Sequence, residues 1–203
     1  MSEPIITIVD DDDAVRDSLA LLLNFRGFRC RGYASAEDCL KAWSPDWRGC
    51  LLLDLRMGGM DGLTLQQALD QRGSRLPVVF LTGHGDIAHA RAALKAGAVD
   101  FLEKPYAEEA LLEAVREAVA RDAEQHAVHS YAEEIAARMA RLSERERQVM
   151  ELAVAGKPNR EIAATLEISP RTVEVFKARM MEKMQARSLP ELVRLAMEAL
   201  PGT

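Results

Sequence analysis

The sequence predicts an α/β chain: a doubly wound, five-stranded parallel sheet followed by a small all-α domain. Three observations point there. From Ile5 to Ala120, short apolar runs alternate with helical patterns, the signature of βαβ units. Each apolar run is short and continuous rather than alternating, as in strands buried on both faces. From Leu142 onward, every apolar pattern has helical spacing.

The elements follow in order. Ile5–Val9 is a strand. Val15, Leu19, Leu22 and Leu23 recur at helical spacing in a helix near 14–25, with Gly27 placed to stop it. Phe28–Tyr33 is a short strand. Ser35-Ala36-Glu37-Asp38 has the form of a capping box for a helix to about Trp43. Strand Cys50–Leu53, helix Leu63–Gln71, strand Val78–Leu81, helix Asp86–Ala96, strand Val99–Leu102 and helix Ala107–Ala120 complete the first part. Right-handed crossovers then favour a three-layer sandwich around one sheet. Arg121–Arg141 is polar and alanine-rich without Gly or Pro, so it reads as a solvated linking helix. Ser143-Glu144-Arg145-Glu146 is a second capping box, opening a helix to about Ala155. Gly156-Lys157-Pro158 breaks the chain, and Asn159–Leu166 forms a short helix. Ser169-Pro170, an N-cap and a first-turn proline, starts a helix to about Met184. Ser188-Leu189-Pro190-Glu191 opens the last one. The domain limits are placed at 1–121, 122–140 for the linker, and 141–203.

Composition excludes several classes. No apolar stretch nears the roughly 18 residues needed to cross a membrane, and the start, Met1-Ser2-Glu3-Pro4, lacks the basic region of a signal peptide. A cytoplasmic protein is expected. Cys30, Cys39 and Cys50 match no zinc spacing and read as small hydrophobes in a reducing compartment. His126 and His129 share a helical face, read as a solvated linker face over a metal pair, and His84, near the pocket, is read as a loop residue over one that tunes access of the attacking water. The net charge of −6 divides unevenly: from Arg141 onward 11 basic residues meet 9 acidic ones, against 15 and 23 before it. An acidic front and a mildly basic tail suggest separate tasks.

The chemistry lies where the runs stop. Asp10 and Asp11 end the first strand, Asp54 the third, Thr82 the fourth, and Lys104 follows the fifth. In an open parallel sheet, ligands bind beyond the carboxyl ends of the strands. Three carboxylates, a hydroxyl and an amine should therefore converge on one pocket. Carboxylates so close repel one another, and a hard cation such as Mg2+ resolves this with oxygen ligands. Magnesium also neutralises a phosphoryl group in transfer. Asp54 is the natural nucleophile, since a carboxylate can form an acyl phosphate. Lys104 can neutralise phosphoryl oxygens, and Thr82 can donate to one. Asp12 and Asp13 read as an acidic helix start.

The tail offers a second function. Asn159–Leu166, a turn at Glu167-Ile168, and Ser169–Met184 make a helix-turn-helix, whose second helix carries Arg171, Lys177, Arg179 and Lys183 against Glu174 and Glu182. That helix should enter a DNA major groove while the first crosses the backbone; on charge alone, a small helical bundle with a solvated charged face is an equal alternative.

Ile8-Val9-Asp10-Asp11-Asp12, Leu53-Asp54-Leu55-Arg56-Met57, Leu81-Thr82-Gly83-His84-Gly85 and Phe101-Leu102-Glu103-Lys104-Pro105 resemble a flavodoxin-like response-regulator receiver domain, especially of the FixJ subgroup of the FixJ/NarL family. Leu142–Val149, Asn159–Ala163 and Ile168–Val175 resemble the LuxR-type helix-turn-helix. The resemblance implies a two-component response regulator, phosphorylated on Asp54 by a sensor histidine kinase. It implies that Asp11, Asp54 and the Arg56 carbonyl ligate Mg2+ directly and Asp10 through water. Thr82 and Phe101 would be the switch pair, and Lys104-Pro105 would carry a cis bond. The surface of the 86–96 helix and the fifth strand, on or near which Arg91, Lys95 and Asp100 lie, supports dimerisation in the family. Glu174, Val175 and Ala178 would face bases, while Arg171, Thr172, Lys177 and Arg179 would hold phosphates of double-stranded promoter DNA. RNA polymerase is a further candidate partner. Two departures stand out: Gly58 where the family usually has proline, and Phe176 where it usually has histidine.

Two other classes compete. An aspartyl-phosphate phosphohydrolase wants a second acid two residues after the nucleophile, where this chain has Arg56. A phosphorylation-controlled module could instead use its tail to bind protein. Regulated DNA binding accounts for both halves at once. No enzyme activity is expected beyond self-phosphorylation from a donor and autodephosphorylation.

Overall fold

The computed structural model describes residues 3–83 and 97–199. It divides into two compact units, residues 1–126 and 127–203.

The first unit is built on a five-stranded, all-parallel sheet of β1 (Ile5–Val9), β2 (Arg29–Tyr33), β3 (Gly49–Asp54), β4 (Val78–Thr82) and β5 (Asp100–Glu103). The strand order is β2-β1-β3-β4-β5. Every residue of β3 and β4 is buried, as the continuous apolar runs require. Side chains alternate between the faces along each strand. Ile6, Ile8, Cys50, Leu52, Val79 and Leu81 face one side. There they pack on Leu19 and Leu23 of α1 (Asp13–Phe25) and on Leu111, Val115 and Ala118 of α4 (Glu108–Ala140). Val9, Leu51, Leu53, Val78 and Phe80 face the other. They meet Ala36 and Cys39 of α2 (Ala36–Ala42) and Leu65 and Leu69 of α3 (Gly62–Gln71). The doubly wound sandwich is thus present as expected, with strand limits within a residue or so of the predicted ones. The predicted helix 86–96 lies outside the described residues, as do His84, His89, Arg91 and Lys95.

Local chemistry sets the helix starts. Asp12 caps α1 by accepting from the Ala14 and Val15 amides, and Asp61 caps α3 by accepting from Thr64. Ser35 caps α2, but only its own half of the expected capping box forms: Asp38 pairs with Lys41 instead of reaching back.

The helix expected at 107–120 and the linking helix after it form one continuous element, α4. Two positions in the stretch expected to be solvated are buried. Asp122 accepts from the Arg48 guanidinium and, at 3.1 Å, from the Gly49 amide, so it caps the start of β3. Ile135 joins the core of the second unit, with Leu142, Met150, Met180, Met184 and Leu192. That unit holds α5 (Glu144–Val154), α6 (Asn159–Leu166), α7 (Pro170–Met184) and α8 (Leu189–Ala199). A second cluster joins Val149, Ala153, Ile162, Ala163 and Val173, with Leu166 partly buried against it. The α5 capping box is complete, since Ser143 and Glu146 each accept the other's amide hydrogen. Glu146 is buried and its Oε2 also accepts from Lys183 Nζ at 2.6 Å. The Lys183 and Ser143 donors hold its carboxyl below the ordinary range.

The cysteines are free, and Cys39 and Cys50 are buried. Burial pushes the Cys30 thiol up to about 11 and the Cys39 thiol up to about 12, which suits packing rather than reactivity.

Candidate functional site

Register brings the polar strand ends together. Val9 lies beside Leu53 and Leu81 beside Asp54 in the sheet, so Asp10 and Asp54 emerge next to each other at the carboxyl edge. Carboxylate oxygens of Asp10, Asp11 and Asp54 all lie within 4.8 Å of one another. Asp10 is buried to 1% exposure and Asp54 to 7%, while Asp11 is exposed. Lys104 reaches across the edge and donates from Nζ to Asp10 Oδ2 at 2.7 Å and to Asp54 Oδ1 at 2.9 Å. Its backbone is anchored too, because the Lys104 amide donates to the Thr82 carbonyl at 2.7 Å. The Lys104-Pro105 bond is cis.

Burial raises the Asp54 carboxyl above its ordinary value, reinforced by Asp10 and Asp11 and opposed by the Lys104 ammonium. Burial disfavours the Lys104 ammonium, but its hydrogen bonds to Asp10 and Asp54 outweigh this and raise its pKa. Three carboxylates thus meet at this edge, two of them hydrogen-bonded to the Lys104 ammonium. Clustered carboxylate oxygens at a sheet edge are the donor set a hard divalent cation takes.

Thr82 is buried at the end of β4, its Oγ1 donating to the Gly83 carbonyl at 3.2 Å. Phe101, one strand away, is half-buried against the α2–α3 side of the core. Arg56 is exposed in the loop after Asp54. Asp100 is half-buried at the start of β5, with Oδ1 accepting its neighbour's amide from Phe101.

Several contributors carry no motif. Arg16 donates to the Asp10 carbonyl at 2.6 Å and pairs with Asp13, fixing the acidic turn from α1. Asp10 Oδ1 accepts from the Asp12 amide at 2.9 Å. The Gly58 amide donates to Asp11 Oδ2 at 3.0 Å, and Glu37 Oε1 accepts from the Met60 amide at 2.9 Å. Gly62 packs so tightly that a Cβ would stand 2.5 Å from the Asp54 carbonyl oxygen and 3.1 Å from the Phe80 ring. Helical spacing hints at Arg16, one turn from the acidic cluster. Backbone donors leave no trace in the residue types.

In the second unit, α6, an αL turn at Glu167 and α7 make a helix-turn-helix. Ser169 accepts from the Thr172 amide at 3.0 Å and starts α7. Arg171, Glu174, Val175, Ala178 and Arg179 are exposed, and their spacing places them on one side of α7. Val173 and Met180 point into the core instead. Thr172 is half-buried. So is Lys177, whose Nζ donates to Asn159 Oδ1 at 3.0 Å, tying α7 to the first residue of α6. Phe176 turns inward against the cluster of Ile162 and Val173. On the first unit's part of α4, His126 is half-buried; His129, in the second unit, is exposed and pairs with Glu133.

Among the described residues, no helix is long and apolar enough to cross a membrane.

Two family models match the chain: a response regulator receiver domain over residues 6–116, and the luxR family of bacterial regulatory proteins over residues 140–196. The transcriptional regulatory protein FixJ of Azorhizobium caulinodans is 49% identical over 96% of this chain and 92% of its own length. FixJ of Rhizobium meliloti is 47% identical over 97% of both chains. Among solved structures, the response regulator StyR aligns with a TM-score of 0.91 at 38% identity, covering 97% of this chain and all of that one. Full-length FixJ from B. japonicum aligns with a TM-score of 0.58 at 44% identity, covering 98% of each chain.

Proposed function

The chain belongs to the response regulators that join a receiver domain to a LuxR-type DNA-binding domain, and from that premise we propose that Asp54 is its phosphoryl acceptor and the control point for DNA binding by residues 141–203. It is a transcription regulator of a two-component system rather than a classical enzyme. The observation that carries the proposal is the convergence of Asp10, Asp11 and Asp54, with Lys104 bridging Asp10 and Asp54.

A phosphohistidine of a sensor kinase is the donor. A carboxylate oxygen of Asp54 attacks phosphorus in line; the P–O bond forms as the P–N bond breaks, and the imidazole nitrogen leaves with the electron pair. Asp11, Asp54 and the Arg56 carbonyl would hold Mg2+, with Asp10 acting through water. When bound, the ion neutralises charge on the transferring phosphoryl oxygens. Lys104 supplies the second positive charge and positions the Asp54 carboxylate before attack. Thr82 then donates to a phosphoryl oxygen and Phe101 turns inward in its wake.

The phosphoryl group carries about −1.5 to −2 in place of the single negative charge of the Asp54 carboxylate, and the switch that follows reaches a dimer face on or near which Arg91, Lys95 and Asp100 lie. Dimerisation places two reading helices on adjacent half-sites. Within each, Glu174, Val175 and Ala178 meet base edges, while Arg171, Thr172, Lys177 and Arg179 hold phosphates. The receiver occupies 1–121, the linker 122–140 and the DNA-binding domain 141–203. Histidine kinase, promoter DNA and RNA polymerase are the partners, and the cytoplasm is the compartment where they meet.

The test treats the full chain with acetyl phosphate and MgCl2 and reads intact mass and sedimentation. Wild type gains one phosphoryl group and sediments faster, and Asp54→Ala does neither. Labelling of Asp54→Ala to the wild-type extent would sink the assignment.

A further inference from the structure

The loop after the acceptor, residues 56–61, contains Gly58 and Gly59, a pair with little intrinsic stiffness. It is held by two carboxylates from elsewhere in the chain. Asp11 Oδ2 accepts from the Gly58 amide at 3.0 Å, and Glu37 Oε1 accepts from the Met60 amide at 2.9 Å. Gly59 sits at φ +91° with its missing Cβ 2.8 Å from Glu37 Oε1, so the close approach of Glu37 depends on glycine there. Gly58 has no such restriction, since a Cβ would meet only Asp11 Oδ2 at an ordinary 3.9 Å. What position 58 contributes is therefore its N–H.

Asp11 needs that donor. Asp10 and Asp54 are buried and share Lys104, whereas Asp11 is exposed and stands within 4.8 Å of two like charges. Repulsion at that range drives an exposed carboxylate outward unless something holds it. A carboxylate has about four lone-pair positions, so Oδ2 can keep the amide while the group takes a cation. Hydrogen bonds that orient ligand carboxylates commonly govern metal affinity. Resting on the magnesium reading above, we propose that the Gly58 N–H is a positioning group for the metal site: it holds Asp11 in the ligating position and so sets the affinity of this chain for Mg2+.

The test uses the 15N-labelled full chain, titrated with MgCl2 and followed by amide shifts and amide hydrogen exchange. Gly58→Pro removes the donor, and Gly58→Ala retains it. Gly58→Pro weakens Mg2+ binding about tenfold, while Gly58→Ala stays within about twofold of wild type. In wild type the Gly58 amide exchanges slowly with and without Mg2+, and in Asp11→Ala it exchanges freely. Equal affinities for the Pro and Ala variants would overturn the proposal. So would equal Gly58 exchange in wild type and Asp11→Ala, a readout that does not depend on the proline variant folding. A wild type with no saturable response to Mg2+ overturns the metal reading and this inference together; a saturable one with no proline effect overturns the inference alone.

Discussion

Lys104 Nζ lies 2.9 Å from Asp54 Oδ1, joining residues 50 positions apart at the carboxyl edge of the sheet. The same ammonium is 2.7 Å from Asp10 Oδ2, so one cation balances two buried acids. Lys104→Met leaves those acids uncompensated. Stability should fall by about 3 kcal/mol, the low end for removing one partner of a buried pair because Lys104 is partly exposed, read as a lower urea midpoint. Excess MgCl2 should recover part of the loss by supplying charge to the same oxygens. Urea curves unchanged by the substitution would contradict the role given to Lys104.

Asp54 carries a distinct pH signature. Its folded pKa is raised, so its ionised form is less favourable in the folded chain than in the unfolded one. Below the unfolded carboxyl value near 3.9 both states are protonated and the group costs nothing. As pH rises from the unfolded value to the raised folded value the cost builds up, and above the folded value it stays constant. Without added metal, Asp54→Asn should therefore be more stable than wild type at pH 7.5, with the gap closing toward pH 4. Denaturant titrations at the two pH values measure it, and a gap that widens on acidification would reverse the sign.

Glu146 should behave in the opposite way. Its folded pKa is lowered by Lys183 and Ser143, so its contribution is present above the unfolded value near 4.3 and is lost as pH falls through the folded value. Glu146→Gln keeps an acceptor for the Ser143 amide but removes the charge. Lys183 is one-third exposed, which limits the loss to about 1–2 kcal/mol at pH 7. Thermal melts of wild type and variant should converge below pH 4.

On α7, Arg179 is exposed beside Val175 and Ala178, and the proposed phosphate contact there would add affinity without sequence information. Arg179→Ala should weaken binding to random-sequence duplex DNA and lower the slope of log affinity against log salt by about one. Fluorescence anisotropy across a salt series reads both. An unchanged slope would remove Arg179 from the DNA face.

The strand ends were legible because burial and chemistry impose opposite residue types at adjacent positions. Leu53 to Asp54 and Leu81 to Thr82 mark the boundary between a dry core and a working edge. The helix starts at Asp12, Ser143 and Ser169 were legible because caps need specific side chains at fixed offsets. Asp122 and Ile135 were hidden by their surroundings. Both lie in a polar, alanine-rich stretch, and what buries each one is non-local: Arg48 and Gly49 for the first, Met180 and Leu192 for the second. Phe176 could pack inward or lie outward on residue type alone, and only the position of Ile162 and Val173 decides it. The tie between Asp11 and position 58 was equally opaque, since every residue but proline carries an N–H.

Gly62 has no functional group, yet its missing methyl is what lets α3 pass directly beneath the acceptor's carbonyl. Any replacement there must shift the main chain of Asp54 itself. Random mutagenesis for inactive alleles should therefore score as heavily at this silent codon as at the acids. Screens that rank positions by chemical reactivity would overlook a residue whose replacement displaces the backbone of the site.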